Sequence, residues 1–282
     1  MKTYESKVLT EGIVFGEGPR WHDGKLWVSD MYGLRVLTVD PGGAIETVVE
    51  VPKQPSGLGW MPDGSLLIVS MLDRKLLRLA DGRLEEHADL SSLAGGPLND
   101  MVVDGQGRAY VGNFGFDLSA GEPFQTTNLI LVEPGGEART VAADLRFPNG
   151  TVITPDGRTM IVAETFGSRL SAFDVAADGS LGERRTFAEI PDKQPDGICL
   201  DAEGAVWVSC FGQDEFIRVH EGGDISASVK VSRRAVACML GGEDRRTLFL
   251  ITAETTTADL AQGKSQGFIE TVTVDVPGAG LP

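Results

Sequence analysis

The sequence predicts an all-β fold, a six-bladed β-propeller with four-stranded blades. Three observations carry that expectation: recurring acidic-Gly turns, short apolar runs between them, and one pattern repeated along the chain. The turns are Asp23-Gly24, Asp63-Gly64, Asp81-Gly82, Asp104-Gly105, Asp156-Gly157 and Asp178-Gly179, with Glu203-Gly204 in a similar role. Such dipeptides signal hairpins, because Gly and short polar residues tolerate the left-handed backbone of tight turns. The runs at 26–29, 66–70, 109–112, 159–163, 205–209 and 247–252 are rich in Val, Ile, Leu, Trp and Tyr and read as strands. Almost no window free of Gly and Pro places apolar residues at i, i+3, i+4 and i+7, so helix content should be very low.

The repeated unit is an opening dipeptide, an apolar stretch, a turn about seven residues on, and a strand ending in a small residue. Its six copies open at Glu17-Gly18, Ser56-Gly57, Asn99-Asp100, Asn149-Gly150, Asp196-Gly197 and Val236-Ala237. They lie about 40 to 50 residues apart, the span of a four-stranded propeller blade. Closing a ring requires the chain ends to meet, since an unsealed blade leaves a strand edge exposed. Residues 7–9 and the alternating segment 268–276 (FIETVTVDV) are suitable strands, so the N-terminal strand is expected to pair within the last blade. No linker-like composition divides the repeats, and residues 1–282 are expected to form one domain.

Charge narrows the partners. Across 282 residues, 41 Asp and Glu stand against 25 Lys and Arg, a net charge of -16. Such a surface repels phosphate backbones and anionic lipids, which argues against nucleic-acid and membrane partners and for a small-molecule one. There is no apolar run of the ~18 residues a membrane span needs, and residues 1–11 lack the pattern of a signal peptide, so the chain is expected to be cytoplasmic. Cys199, Cys210 and Cys238 form no CxxC pair and read as small core residues. His22, His87 and His220 fall outside the opening dipeptides and read as surface residues. No GxSxG elbow occurs.

In a propeller the first strand of each blade lines the central channel, so the opening dipeptides should converge on one mouth. Their first members are Glu17, Ser56, Asn99, Asn149, Asp196 and Val236. Taken singly, Asp-Gly and Asn-Gly are ordinary turn dipeptides; a shared phase of oxygen-bearing side chains is not something turns require. Two carboxylates with no cationic neighbour in the ring call for a divalent cation. The absence of His and Cys from the ring favours Ca²⁺, Mg²⁺ or Mn²⁺ over a zinc site. The loops on that face carry Met31, Tyr32, Met71, Leu72, the stretch NFGFD at 113–117, Phe166 and Phe211, which predicts largely apolar and aromatic walls. The alternative for Phe114, Phe116, Phe166 and Phe211 is packing between blades.

The segments EGPRWHDGKLWVSD, PLNDMVVDGQGRAYVGNFGFD, FPNGTVITPDGRTMIVAET and QPDGICLDAEGAVWVS resemble the SMP-30/gluconolactonase/LRE family. The resemblance spans all six repeats and implies a six-bladed propeller whose central divalent metal is held by Glu17, Asn149 and Asp196, with Asn99 at the metal or the substrate. It further implies a lactonase that opens a cyclic ester to a hydroxy acid, with Ca²⁺ as the first expectation and Mg²⁺, Mn²⁺ or Zn²⁺ as alternatives. Asp196 is then the candidate base, directly or by orienting a water. Family members acting on sugar lactones often carry an Arg where this chain has Pro97, while Asp117 falls at their acidic substrate contact. Loss of the Arg beside Phe114 and Phe116 points to a less polar lactone. Another metal-dependent hydrolase acting on phosphotriesters or aryl esters, a non-catalytic calcium-binding propeller, and a metal-free condensing enzyme of the strictosidine-synthase type stay open. Glu164 and Glu254, each in an AET motif, read as loop carboxylates rather than as support for the site.

Overall fold

In the computed structural model, which describes residues 1–279, alternating apolar strands and Gly-bearing turns build six sheets in a ring. Residues 280–282 of the expected domain lie outside the described residues. Two strands precede the first blade, β1 (Lys2–Tyr4) and β2 (Lys7–Ile13). Blade one is β3 (Gly16–His22), β4 (Lys25–Asp30), β5 (Arg35–Val39) and β6 (Ile45–Glu50). Blade two is β7 (Pro55–Trp60), β8 (Leu66–Ser70), β9 (Lys75–Ala80) and β10 (Arg83–Asp89). Blade three is β11 (Leu98–Val103), β12 (Ala109–Asn113), β13 (Thr127–Val132) and β14 (Ala138–Leu145). Blade four is β15 (Pro148–Ile153), β16 (Thr159–Glu164), β17 (Arg169–Asp174) and β18 (Arg185–Glu189). Blade five is β19 (Pro195–Leu200), β20 (Val206–Cys210), β21 (Glu215–Val219) and β22 (Ile225–Lys230). Blade six is β23 (Arg234–Gly241), β24 (Thr247–Glu254) and β25 (Gln266–Thr273), completed by β2.

Closure uses the chain start twice. β2 pairs antiparallel with β25, Lys7 opposite Thr271 and Glu11 opposite Phe268, so the first and last strands of the ring share one sheet. β1 adds to the outer edge of blade five, parallel to β22, with Thr3 opposite Ser228. That fifth strand had no counterpart in the repeat, and it covers an edge that would otherwise offer unpaired backbone groups. The run 268–276 is a strand only to Thr273. Helix is confined among the described residues to a 3-10 turn at Thr165–Gly167 and a short α-helix, α1 (Thr257–Leu260). No helix is long and apolar enough to cross a membrane.

The inner strands β3, β7, β11, β15, β19 and β23 pack side by side and return to β3. The seam between blades one and six is held by Trp21 stacked on Phe249, ring centroids 5.4 Å apart, with Gly241 leaving room for the indole. The core lies between the faces of adjacent blades, where side chains such as Leu58, Met101, Tyr110 and Trp207 are fully buried. Each such aliphatic or aromatic side chain contributes ~1.5–3 kcal/mol by leaving water.

Candidate metal and substrate site at the channel mouth

Every inner strand carries a β-bulge at the same phase. The register shifts fall at Glu17/Arg20, Pro55/Leu58, Leu98/Met101, Pro148/Thr151, Pro195/Ile198 and Ala235/Ala237. Four of the six enclose an opening dipeptide, the sixth encloses Val236, and the first begins at Glu17. A bulge leaves residues unpaired and re-aims their side chains, so the chain presents one side chain per blade toward the axis. The glycines have a separate cause. A Cβ on Gly57 would lie 2.4 Å from the Met101 amide nitrogen, on Gly150 2.5 Å from the Ile198 nitrogen, and on Gly197 2.4 Å from the Ala237 Cβ. These dipeptides are therefore not turns, the reading each would have carried alone; they are where neighbouring inner strands touch.

The structure brings the four expected metal residues to one level of the ring. Glu17, Asn99, Asn149 and Asp196 are all buried. Asn149 Nδ2 donates to Asp196 Oδ1 across blades four and five, and to Thr165 Oγ1 at 3.3 Å. Asn99 Nδ2 donates to the Pro148 carbonyl at 3.1 Å, tying blade three to blade four. Among the ring side chains, Asn149 Oδ1 and Ser56 Oγ are buried without a hydrogen-bond partner. Burial, then the charges of Asp196 and Asp100, hold Glu17 well above the ordinary carboxyl range. Burial and Asp100 push Asp196 up to about 8 against the opposing hydrogen bond from Asn149. Desolvation and like charge both disfavour ionisation.

No cation stands at a ring position, but one lies close by and partly offsets the rise at Glu17. Arg20, three residues beyond Glu17, reaches Asp100 at 2.8 Å and also donates to the carbonyls of Pro19, Leu58 and Met101. Asp100 thus uses the guanidinium, and among the described residues no ion pair reaches Glu17 or Asp196. The AET motifs also separate. Glu254 is an exposed partner of Arg233, but Glu164 is fully buried, bound by Arg169, by Ser171 and by the Arg146 amide. Burial alone would raise the Glu164 pKa; those hydrogen bonds and the Arg169 charge bring it below the ordinary value. It anchors the Arg146–Phe147 backbone entering blade four, so it is no plain loop residue.

Aromatic rings crowd the mouth over blades three and four. Phe114 lies 4.4 Å and Phe116 6.2 Å from Phe147, centroid to centroid, and Phe147 4.8 Å from Phe166. Phe124 packs edge-on to Phe116 and Phe166. Phe147 immediately precedes Pro148-Asn149 and Phe166 immediately follows Thr165, so this wall adjoins the ring. Phe124 and Phe166 keep 39% and 36% of their surface exposed, enough to meet a ligand. Phe147, Phe124 and Thr165 were not picked out in the sequence; the signal available was their place beside the Asn149 strand and after the second strand of the blade. Phe147 takes φ 65, a left-handed conformation costly for a bulky residue. Asp117 is not drawn into the ring: its Oδ1 accepts from Ser119 Oγ and the Ala120 amide of its own turn, and these bonds lower its pKa. Tyr32, on blade one, feels Glu17 enough to titrate higher, after the larger effect of burial.

Among the other nucleophile candidates, Cys210 pairs across the sheet with Pro195, next to Asp196, and feels its charge. The three cysteines are buried and free, and burial pushes the Cys210 thiol up to about 12. The histidines are half-buried rather than plainly on the surface: His22 stacks on Trp60 at 3.9 Å, and His220 contacts Ser226 at 2.9 Å. Among the described residues no group of three or more His, Cys, Asp and Glu is placed to hold a metal. The ring's two carboxylates need amide oxygens to complete a donor set, and Asn149 Oδ1 is such an oxygen, buried and unpartnered. That all-oxygen set fits a hard divalent cation.

A six-bladed propeller with acids and amides converging at one mouth of its channel defines a class of small-molecule site. The chain belongs to the SMP-30/Gluconolactonase/LRE-like family, whose profile matches residues 15–254. The pentonolactonase XacC of Haloferax volcanii is 26% identical over 256 residues, covering 88% of this chain and 84% of its own length. Among solved structures, a calcium-binding regucalcin from Agrobacterium tumefaciens shares the fold with TM-score 0.77 at 23% identity, each chain covered in full. A gluconolactonase from Xanthomonas campestris shares it with TM-score 0.73 at 23% identity, over 98% of this chain and 88% of that one.

Proposed function

We propose that this protein is a divalent-cation-dependent lactonase acting on a lactone less polar than a sugar lactone. The observation that carries the reading is the pair of buried carboxylates without ion-pair partners, Glu17 and Asp196, beside the unpartnered Asn149 Oδ1. Glu17, Asn149 and Asp196 would hold the cation, with Asn99 completing the set or meeting the substrate, and Ca²⁺ is the first candidate. When bound, such a cation supplies Lewis-acid polarisation of the lactone carbonyl, an effect of several kcal/mol. The likeness to a pentonolactonase supports the reaction class.

The chain's own residues supply the rest. Asp196, steadied by Asn149, is positioned to take a proton from an attacking water. Addition of that water to the acyl carbon gives a tetrahedral adduct whose collapse breaks the ring C–O bond, and the proton held by Asp196 passes to the departing oxygen, leaving a carboxylic acid and an alcohol in one product. Phe114, Phe124 and Phe166, backed by the buried rings of Phe116 and Phe147, bind the apolar part of the lactone and keep bulk water from that side. Asp117, engaged in its own turn, contributes at most to the outer rim.

The test is hydrolysis of a panel of sugar, aliphatic and aromatic lactones by chelator-stripped protein, repeated after adding Ca²⁺, Mg²⁺, Mn²⁺ or Zn²⁺ singly. Cation-restored turnover, higher on apolar than on polyhydroxylated rings, is expected. Cation binding with no turnover of any lactone would overturn the lactonase reading in favour of phosphotriester or aryl-ester hydrolysis, or of a binding role.

A further inference from the structure

We propose that Thr165 is a positioning residue that fixes the Asn149 amide with its oxygen, not its nitrogen, toward the cation seat. The proposal rests on the cation site proposed above and assigns to it a residue from outside the inner strands. A primary amide presents an acceptor at one end and two donors at the other, nearly equal in size, so its useful orientation must be selected by hydrogen bonds. A flipped Asn149 would turn N–H groups toward a cation and repel it.

Two acceptors select the observed orientation. Asn149 Nδ2 donates to Asp196 Oδ1 and to Thr165 Oγ1. The Thr165 hydroxyl can only accept there, because its own proton is donated to the Pro195 carbonyl at 2.7 Å. One hydroxyl therefore joins Asn149 to the backbone immediately before Asp196. Its position is fixed from behind, since the Thr165 amide donates to the Phe147 carbonyl at 3.1 Å. Asp196 is itself expected to serve the cation and the water, which leaves Thr165 as the partner with no other duty.

The outcome of this arrangement is the unpartnered Asn149 Oδ1, buried and satisfied by nothing in the protein. An orphan acceptor of this kind is costly, and its persistence points to an occupant supplied from outside. The turn itself does not demand a hydroxyl. The equivalent position, first after the second strand, holds Met31, Met71, Phe114 and Phe211 in the first, second, third and fifth blades. By the same placement the sixth blade has Thr255, so a hydroxyl there is not confined to the blade that carries Asn149.

Thr165→Val keeps the shape and removes the hydroxyl; Thr165→Ser keeps the hydroxyl, and Thr165→Ala serves if Val does not fold. Calorimetric titration of each chelator-stripped protein with Ca²⁺ and with Mn²⁺ is expected to show affinity lowered about tenfold or more in Thr165→Val, with Thr165→Ser close to the parent. Lactone turnover by Thr165→Val should return as the cation concentration is raised, a recovery that loss of packing alone would not give. Parent-like cation affinity in Thr165→Val, or in Thr165→Ala, would overturn the proposal while leaving the cation site standing. A parent protein that binds neither cation would overturn the site itself.

Discussion

Glu17 and Asp196, on the inner strands of blades one and five, lie close enough at the channel mouth for the Asp196 charge to raise the Glu17 pKa, and both titrate well above the ordinary carboxyl range. Burial is the larger cause for each, and Asp100 adds to both. A carboxyl with a raised folded-state pKa favours the fold below its unfolded value, and that contribution is lost as pH rises through the folded value. Chelator-stripped protein should therefore lose stability between about pH 4 and about 8, the value for Asp196. A bound cation should reverse the trend, since it needs both groups ionised. Thermal melts across that range with and without Ca²⁺ check this; cation binding at neutral pH should also release protons, seen as a buffer-dependent heat.

The contact of inner strands at Gly57 predicts a sharp contrast between two glycines. Gly57→Ala drives a Cβ to 2.4 Å from the Met101 nitrogen, backbone that cannot step aside. A loss of about 1–3 kcal/mol or more is expected. Gly105→Ala, at a site with nothing within 4 Å, should be neutral or slightly stabilising. Urea unfolding midpoints of the two variants compare them directly.

The phenyl wall predicts where specificity lies. Phe166→Ala removes a ring that is partly exposed and packs on Phe147 at 4.8 Å. A kcat/KM loss of about tenfold or more on apolar lactones is expected, with little change on polyhydroxylated ones, as fits ~1–3 kcal/mol of pocket contact. Steady-state kinetics on both substrate types measure it.

Glu164 predicts an acid-side effect instead. Its lowered pKa means stability present above the ordinary Glu value and lost as pH falls through the lowered one. Glu164→Gln removes the partner of the half-buried Arg169 and should cost about 2–4 kcal/mol at neutral pH. The difference from the parent should shrink on acidification, which melts at several pH values would show.

The ring, its six blades and the five oxygen-bearing residues at its opening positions were legible because they share one phase of a repeat. Phase locates side chains on the inner strands, and the bulges at Pro148/Thr151 and Pro195/Ile198 show why those positions and no others turn inward. What phase does not locate is a partner from another part of the blade. Arg20 on β3 reaches past β7 to Asp100 on β11, and Thr165 reaches Asn149 from the loop after β16. Each depends on side-chain reach in three dimensions. Asp117 shows the converse: the motif position suggested substrate contact, but Ser119 two residues on captures the carboxylate. The edge strand β1 was illegible because three residues carry no periodicity.

The most direct test of the central claim is calorimetric titration of chelator-stripped protein with Ca²⁺, alongside Asp196→Ala and Asn149→Ala. The ring predicts one cation per chain in the parent and loss of binding in both variants. Undiminished binding of one cation per chain by both variants would contradict it and place the cation elsewhere.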